Sequence, residues 1–398
     1  MRVEEVRRLN IPLTSWPSYD EEQIDAVASV LRTGQVNYLR GQAGRAFESE
    51  FSAWCGVRHS VAVANGTVAL ELCLKALRLH PGDEVIVTPR AFVAVASACV
   101  LNDLVPVFAD VDIESGNITP GSVEAVITNR TRAIMPVHLG GWPCDMTGFM
   151  DLAERRGLKV IEDCAQAHGA QIGGRSVGSF GHANAWSFCL DKMITTGGEG
   201  GMVTTDDEDL WSQMWSYKDH GKDYDAVYIK SHPPGYQWLH EGWGTNWRLT
   251  EPQSALGLVQ LKRMPVWTAA RAHNARIFRE RFNRLSAVHV PWPSDEITHA
   301  WYRLYVHVKK DALKDGWSRD RIQAECMVRG LSLSVGSCSE IYRENCFGTS
   351  CLAPSVPLPN ARAMTNLCLA FLVHPGLTDD MLHAVADVFE DVVIEATR

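Results

Sequence analysis

The chain is expected to fold as an α/β protein: a mostly parallel central sheet flanked by helices, with a smaller C-terminal α+β domain. Three observations carry that expectation. Between residues 60 and 205, short apolar runs of strand length alternate with stretches of helical period, the pattern of strands buried on both faces. Several of those runs end in small or polar turns, such as Asn65-Gly66-Thr67 and His138 to Pro143. At 398 residues the chain is too long for one small core.

Each element has a local reason. The stretch from Met1 reads as an irregular arm; Asp20 then caps a helix whose first turn holds Glu21 and Glu22. Ile24, Val27, Val30 and Leu31 form its apolar face, and Thr33-Gly34 stops it. A second helix covers residues 46–54 and ends at Cys55-Gly56. A strand at 60–64 runs through Asn65-Gly66-Thr67 into a helix at 68–77. Strands follow at 84–88, 105–110, 133–137 and 159–162, with helices at 92–102 and 149–156. Residues 173–181 read as a hairpin, 185–188 as a strand and 202–205 as an extended return. A helix then runs to Tyr217, and 219–242 is irregular, with HisProProGly at 232–235. A loop of that length is usually functional, and its Lys222, Tyr224 and Tyr228 are candidates for contact with substrate or a partner subunit. Two helices, 251–264 and 269–285, precede an alternating strand at 301–308. Helices at 318–329, 359–369 and 378–396 complete the chain. The expected division is an arm at 1–20, a large domain at 21–264 and a small domain at 265–398.

Composition narrows the function. A net charge of -9 argues against non-specific nucleic-acid binding and against docking on an anionic membrane, while leaving room for a local phosphate pocket. The eleven cysteines are scattered without a CxxC pair, so no zinc ribbon, metal site or thioredoxin-type motif is expected. Their odd number, and an N-terminal MRVEEVRRLN without an apolar core, point to a reducing cytoplasm. No apolar run is long enough to span a bilayer.

The chemistry gathers on one sheet edge. Ligands of such sheets collect beyond the carboxyl ends of the strands. There Asn65-Gly66-Thr67 opens a helix, whose free N–H groups and dipole favour a phosphate. Asp163 ends a buried strand and needs a cationic or hydrogen-bonding partner, since an unpaired buried charge is costly. That partner is a helix N-terminus, an arginine or the protonated nitrogen of a pyridine ring. His168, just after it, reads as a hydrogen-bonded loop histidine. Ser187 ends the next strand, and Lys192 follows among apolar and small residues before the glycines 197, 198, 200 and 201. Burial disfavours the ammonium form, which is how a lysine becomes a nucleophile. An amine, an acid for a ring nitrogen and donors for a phosphate are together what pyridoxal 5'-phosphate requires.

At these residues the chain resembles the sugar aminotransferases of the DegT/StrS type, pyridoxal phosphate enzymes with the aspartate-aminotransferase-like fold (fold type I). The strings that carry the likeness are ANGTVAL (64–70), EDCAQAHGA (162–170), SFCLDKMITTGGEGGMVTTDD (187–207) and GTNWRLTEPQSALGLVQL (244–261). WYRLYVHV (301–308) and SCSEIY (337–342) extend it towards the C-terminus. The resemblance implies that Lys192 binds the cofactor covalently and shuttles the proton, and that Asp163 pairs with the ring nitrogen. It further implies Gln166 near the phenolic oxygen, Gly66, Thr67 and Ser187 on the phosphate, and Phe92 stacked on the ring. Asn246 resembles a residue sent from the neighbouring subunit to the same phosphate, which implies a homodimer with shared sites. Read by themselves, Phe92 also suits a core position and Asn246 a helix cap.

Two positions depart from common family versions. Ala91 replaces a threonine, and Gly140 stands where a bulky aromatic often sits, so an altered sugar pocket is expected. The implied reaction moves an amino group from an amino acid such as glutamate to a keto- or aldehyde-sugar. The acceptor is a nucleotide-linked 3-keto or 4-keto sugar, a free keto-sugar acid or an inosose-like cyclitol. The alternatives are a sugar dehydratase or epimerase on the same scaffold, or a regulatory protein without turnover. Some relatives with histidine for the lysine are dehydratases, and Lys192 argues against that outcome.

Overall fold

The computed structural model describes residues 7–231, 239–348 and 350–398. The first six residues of the arm and the HisProProGly stretch lie outside the described residues. Among the described residues thirteen strands carry the frame. Nine come first: β1 (His59–Val63), β2 (Glu84–Val87), β3 (Val105–Phe108), β4 (Thr131–Met135), β5 (Lys159–Asp163), β6 (Gln171–Ile172), β7 (Arg175–Ser176), β8 (Ala183–Ser187) and β9 (Gly201–Thr205). The others are β10 (Val288–His289), β11 (Ile297–Thr298), β12 (Leu304–Val308) and β13 (Cys368–Phe371).

The large sheet has the order β1-β9-β8-β5-β4-β2-β3. Strands β8, β5, β4, β2 and β3 pair in parallel, and β9 runs antiparallel to both β1 and β8. Every residue of β2, β8 and β9 is buried, as strands covered on both faces are. Asn65 caps the helix Gly66–Ala76, its side chain accepting from the Val68 N–H at 3.0 Å. The turn after β1 and the ends of β5 and β8 therefore open on the same edge.

Beyond the sheet, the two helices expected at 251–264 and 269–285 are one, Glu251–Phe282, with Pro265 inside it. Proline deprives the Leu261 carbonyl of its donor, which ordinarily breaks a helix. Here Leu261 and Met264 before the proline, and Ala275, Phe278 and Phe282 after it, are all buried along the same helix. The first two join the aromatic cluster around Phe47, Trp186 and Phe188; the last three join a second core with β12, β13 and the C-terminal helix Asp379–Ala396. Packing on two cores outweighs one lost hydrogen bond.

The helix expected at 359–369 is also corrected. It stops at Met364, and Cys368–Phe371 forms β13 because β12 offers an antiparallel edge whose pairing satisfies that backbone. Within the expected irregular region, Tyr224–Tyr228 is a short helix capped by Asp223. Its Tyr224 ring packs edge-on against Trp215 at 4.9 Å, and Lys222 is buried on Asp219 at 2.9 Å. Lys222 and Tyr224 are thus engaged within their own fold. Among the described residues no helix is long and apolar enough to cross a membrane.

Candidate active site

A cavity of about 620 Å³ opens at this edge, lined by Phe92, Gln166, Asp191, Lys192, Tyr302 and Arg303 among others. Lys192 sits in the loop after β8, its side chain 15 % exposed. The N-terminal arm fixes the backbone there: the Trp16 indole N–H donates to the Lys192 carbonyl at 2.8 Å, and Trp16 packs edge-on against Trp267 of the long helix. The Lys192 ammonium lies 3.1 Å from Asp191 Oδ1 and 5.1 Å from the centre of the Tyr302 ring.

This surrounding reverses the expected effect on the amine. Burial alone pushes the Lys192 pKa down, but the phenol of Tyr302 and the carboxylate of Asp191 push it up, and the net shift is upwards. Asp191 in turn is held below the usual carboxylate range: burial raises it, and Lys192 and the Tyr302 hydroxyl lower it further than burial raises it. The Tyr302 hydroxyl donates to Asp191 Oδ2, and Arg303 Nη2 stands 3.6 Å from the same oxygen.

Asp163, at the end of β5, is 7 % exposed. One oxygen accepts from the Ala165 N–H at 3.0 Å, and among the described residues no arginine or helix N-terminus meets the other. Burial raises its pKa, offset in part by that hydrogen bond and by the charges of His138 and Lys192. Gln166 uses its side-chain carbonyl on the Gly140 N–H at 2.7 Å, which leaves its NH₂ for the cavity. Phe92 is 71 % exposed at the mouth, so it is not a core residue.

The turn and the strand end are closely packed. A Cβ on Gly66 would lie 2.6 Å from the Ser187 Cβ, so only glycine lets them approach. Among the described residues, no acceptor meets the N–H of Gly66 or Thr67. Two free donors at the start of an 11-residue helix suit a phosphate. A buried carboxylate with one donor suits a protonated ring nitrogen, and an exposed aromatic beside the amine suits a ring face. The residues present fit pyridoxal phosphate.

Asn246 is exposed, with its backbone bridged to Asp219, and does not line the Lys192 cavity of its own chain. His168 is not the hydrogen-bonded histidine expected: it is fully buried, neither ring nitrogen has a partner among the described residues, and it lies 5.1 Å from the Trp186 ring. Burial, with Lys192 and Arg271 nearby, takes its pKa down to about 3.

Gly140 explains its own departure. Its φ is +64°, and an added Cβ would lie 2.7 Å from the Tyr305 ring. The space beside that position is filled by Tyr305 from β12, whose hydroxyl accepts from the Ser337 N–H at 3.1 Å. Asp191, Tyr302, Arg303 and Tyr305 are absent from the sequence-based site. A carboxylate directly before the lysine was the visible signal for the first.

Known proteins place the chain in a family. A solved aminotransferase from Psychrobacter cryohalolentis is 51 % identical, covering 97 % of this chain and 100 % of its own, with a TM-score of 0.95. The spore coat polysaccharide biosynthesis protein SpsC of Bacillus subtilis is 34 % identical over 388 residues, 95 % of this chain and 96 % of that protein. A UDP-N-acetyl-3-dehydro-alpha-D-glucosamine 3-aminotransferase of Acidithiobacillus ferrooxidans is 32 % identical over 368 residues, 92 % of this chain and 93 % of that protein. The family model of the DegT/DnrJ/EryC1/StrS aminotransferases matches residues 17–390, and the chain, a pyridoxal phosphate-dependent aminotransferase, belongs to that family.

Proposed function

We propose that this enzyme moves an amino group from an amino acid, glutamate for preference, to the carbonyl of a nucleotide-linked keto-sugar. The product serves amino-sugar and polysaccharide biosynthesis in the cytoplasm. The 3-aminotransferase and the spore coat protein among its relatives support the sugar and its destination. The observation that carries the reading is an amine, Lys192, lining the cavity, together with a buried acid, Asp163, whose carboxyl feels the Lys192 charge.

In this reading Gly66, Thr67 and Ser187 hold the phosphate, Phe92 covers one ring face, and Gln166 donates its NH₂ to the phenolic oxygen. Asp163 keeps the proton on the ring nitrogen, because its buried carboxylate is stabilised by a cationic partner. Bound pyridoxal phosphate supplies the sink for the electron pair of the donor's Cα–H bond. With the cofactor bound, Lys192 Nζ would be the base that takes the donor's Cα proton and, as its conjugate acid, gives it back. The same steps in reverse place the amine on the sugar. Asn246 of a second copy completes the phosphate site, making the working unit a homodimer.

The test is a spectroscopic screen of keto-sugars against the amine-loaded enzyme, with Lys192→Ala as control. A cofactor band absent from the wild type would end this reading.

A further inference from the structure

We propose that the guanidinium of Arg303 anchors the α-carboxylate of the amino donor. This rests on the aminotransferase reading above and assigns the donor subsite within it.

Among the residues that line the Lys192 cavity, the cations are Lys192 and Arg303. Lys192 is consumed by the cofactor, which leaves Arg303 to meet a carboxylate. Its side chain is 21 % exposed, and its contacts are long: 3.6 Å to Asp191 Oδ2 and 3.5 Å to the Tyr302 hydroxyl. A guanidinium carries five donors in a planar fork that matches a carboxylate. Most of that capacity is unused here. Its backbone is fixed by a 3.3 Å hydrogen bond from the Arg303 N–H to the Gly140 carbonyl, and its guanidinium carbon lies 4.9 Å from the Tyr302 ring centre. The fork is thus steadied beside the site.

Asp191 shows what the space accepts. One of its oxygens is 3.1 Å from the Lys192 amine and the other 3.6 Å from Arg303. Its carboxylate therefore stands between an amine and a guanidinium. In an α-amino acid, amine and carboxylate share one carbon, so the group that recognises the carboxylate must lie this near the reacting nitrogen. The diphosphate of a nucleotide sugar is separated from the reacting carbonyl by several bonds of the ring and belongs farther out. When the Lys192 amine is bound covalently, Asp191 loses its cation and keeps the Tyr302 hydroxyl. The donor's carboxylate then takes its place on Arg303.

The experiment loads the wild type, Arg303→Gln and Arg303→Lys with pyridoxal phosphate and titrates each with glutarate, a dicarboxylate that cannot react, following the cofactor absorption band. Arg303→Gln should bind glutarate about tenfold more weakly or worse, with Arg303→Lys between the two. In the half-reaction, Arg303→Gln should raise the apparent Kd for L-glutamate by a similar factor. It should leave that for the α-amide of glutamate nearly unchanged. Equal glutarate binding by the wild type and a folded Arg303→Gln overturns the proposal, as does a loss confined to uridine diphosphate, which would place Arg303 on the acceptor. A wild type that forms no cofactor band defeats the broader reading instead, so the two failures are separable.

Discussion

The ammonium of Lys192 lies 3.1 Å from the carboxylate of Asp191, its neighbour in the chain. That contact holds the amine in the charged form, whereas capture of an aldehyde needs it neutral. Together with Tyr302, it turns a burial that would lower the pKa into a net rise. Asp191→Asn removes one of the two main upward influences, so the pKa falls and more free amine is present near neutral pH. The rate of pyridoxal phosphate capture, followed by stopped-flow absorbance, should therefore reach its midpoint at a lower pH than in the wild type. A midpoint that stays in place or rises refutes this account.

Asp163→Asn keeps shape and removes charge. The buried acid in the structure has a raised pKa and one N–H donor, so it gains most from a cationic partner. The variant should still bind pyridoxal phosphate and show its band. Its half-reaction with L-glutamate should slow on the order of 10²–10³-fold, the range typical of one lost electrostatic stabiliser. Single-turnover absorbance measures this directly, and a rate within a factor of three of the wild type would exclude the assigned role.

Local pattern carried the sheet far better than the walls of the site. Continuous apolar runs such as Val85 to Val87 and turns such as Asn65-Gly66-Thr67 report their own conformation, because burial on both faces and capping act within a few residues. Pro265 misled for the same reason. Its local rule is to end a helix, while the contacts that keep the helix going lie with β12 and β13, up to about a hundred residues away. Tyr302 reaches Asp191 across 111 positions and Tyr305 reaches Gly140 from another strand, so neither left a local signature. The glycine at 140 announced only that something was missing. What fills the space is visible in three dimensions alone.

That filling can be tested. Gly140→Ala must adopt a φ of +64° and push a methyl towards the Tyr305 ring, 2.7 Å away. The left-handed backbone costs about 1–2 kcal/mol and overpacking about 1–3 kcal/mol, so a loss of roughly 2–5 kcal/mol is expected. Tyr305→Leu in the same background should recover the steric part and leave the backbone part. Urea unfolding of the four proteins in a double-mutant cycle separates the two. A Gly140→Ala protein as stable as the wild type would mean that the ring moves aside freely.

His168, His299 and His307 are each buried, and burial takes each pKa down to about 3; Lys192 and Arg271 add to this at His168, and Arg90 and His289 at His307. These groups stay neutral in the folded state while their unfolded counterparts charge near pH 6.5. The unfolded chain therefore binds more protons as pH falls, so their contribution is complete above pH 6.5 and is lost progressively towards pH 3. At pH 5.5 the three together should cost about 4 kcal/mol, some 1.4 kcal/mol each. Thermal melts from pH 7.5 to 5 should show Tm falling steeply below pH 6.5. Buried His374, taken down to about 4, is a fourth linked group, so His299→Phe, which keeps a flat ring beside Trp301, should flatten the histidine part of that slope by about one quarter. An unchanged slope in a folded variant would show that the acid sensitivity arises elsewhere.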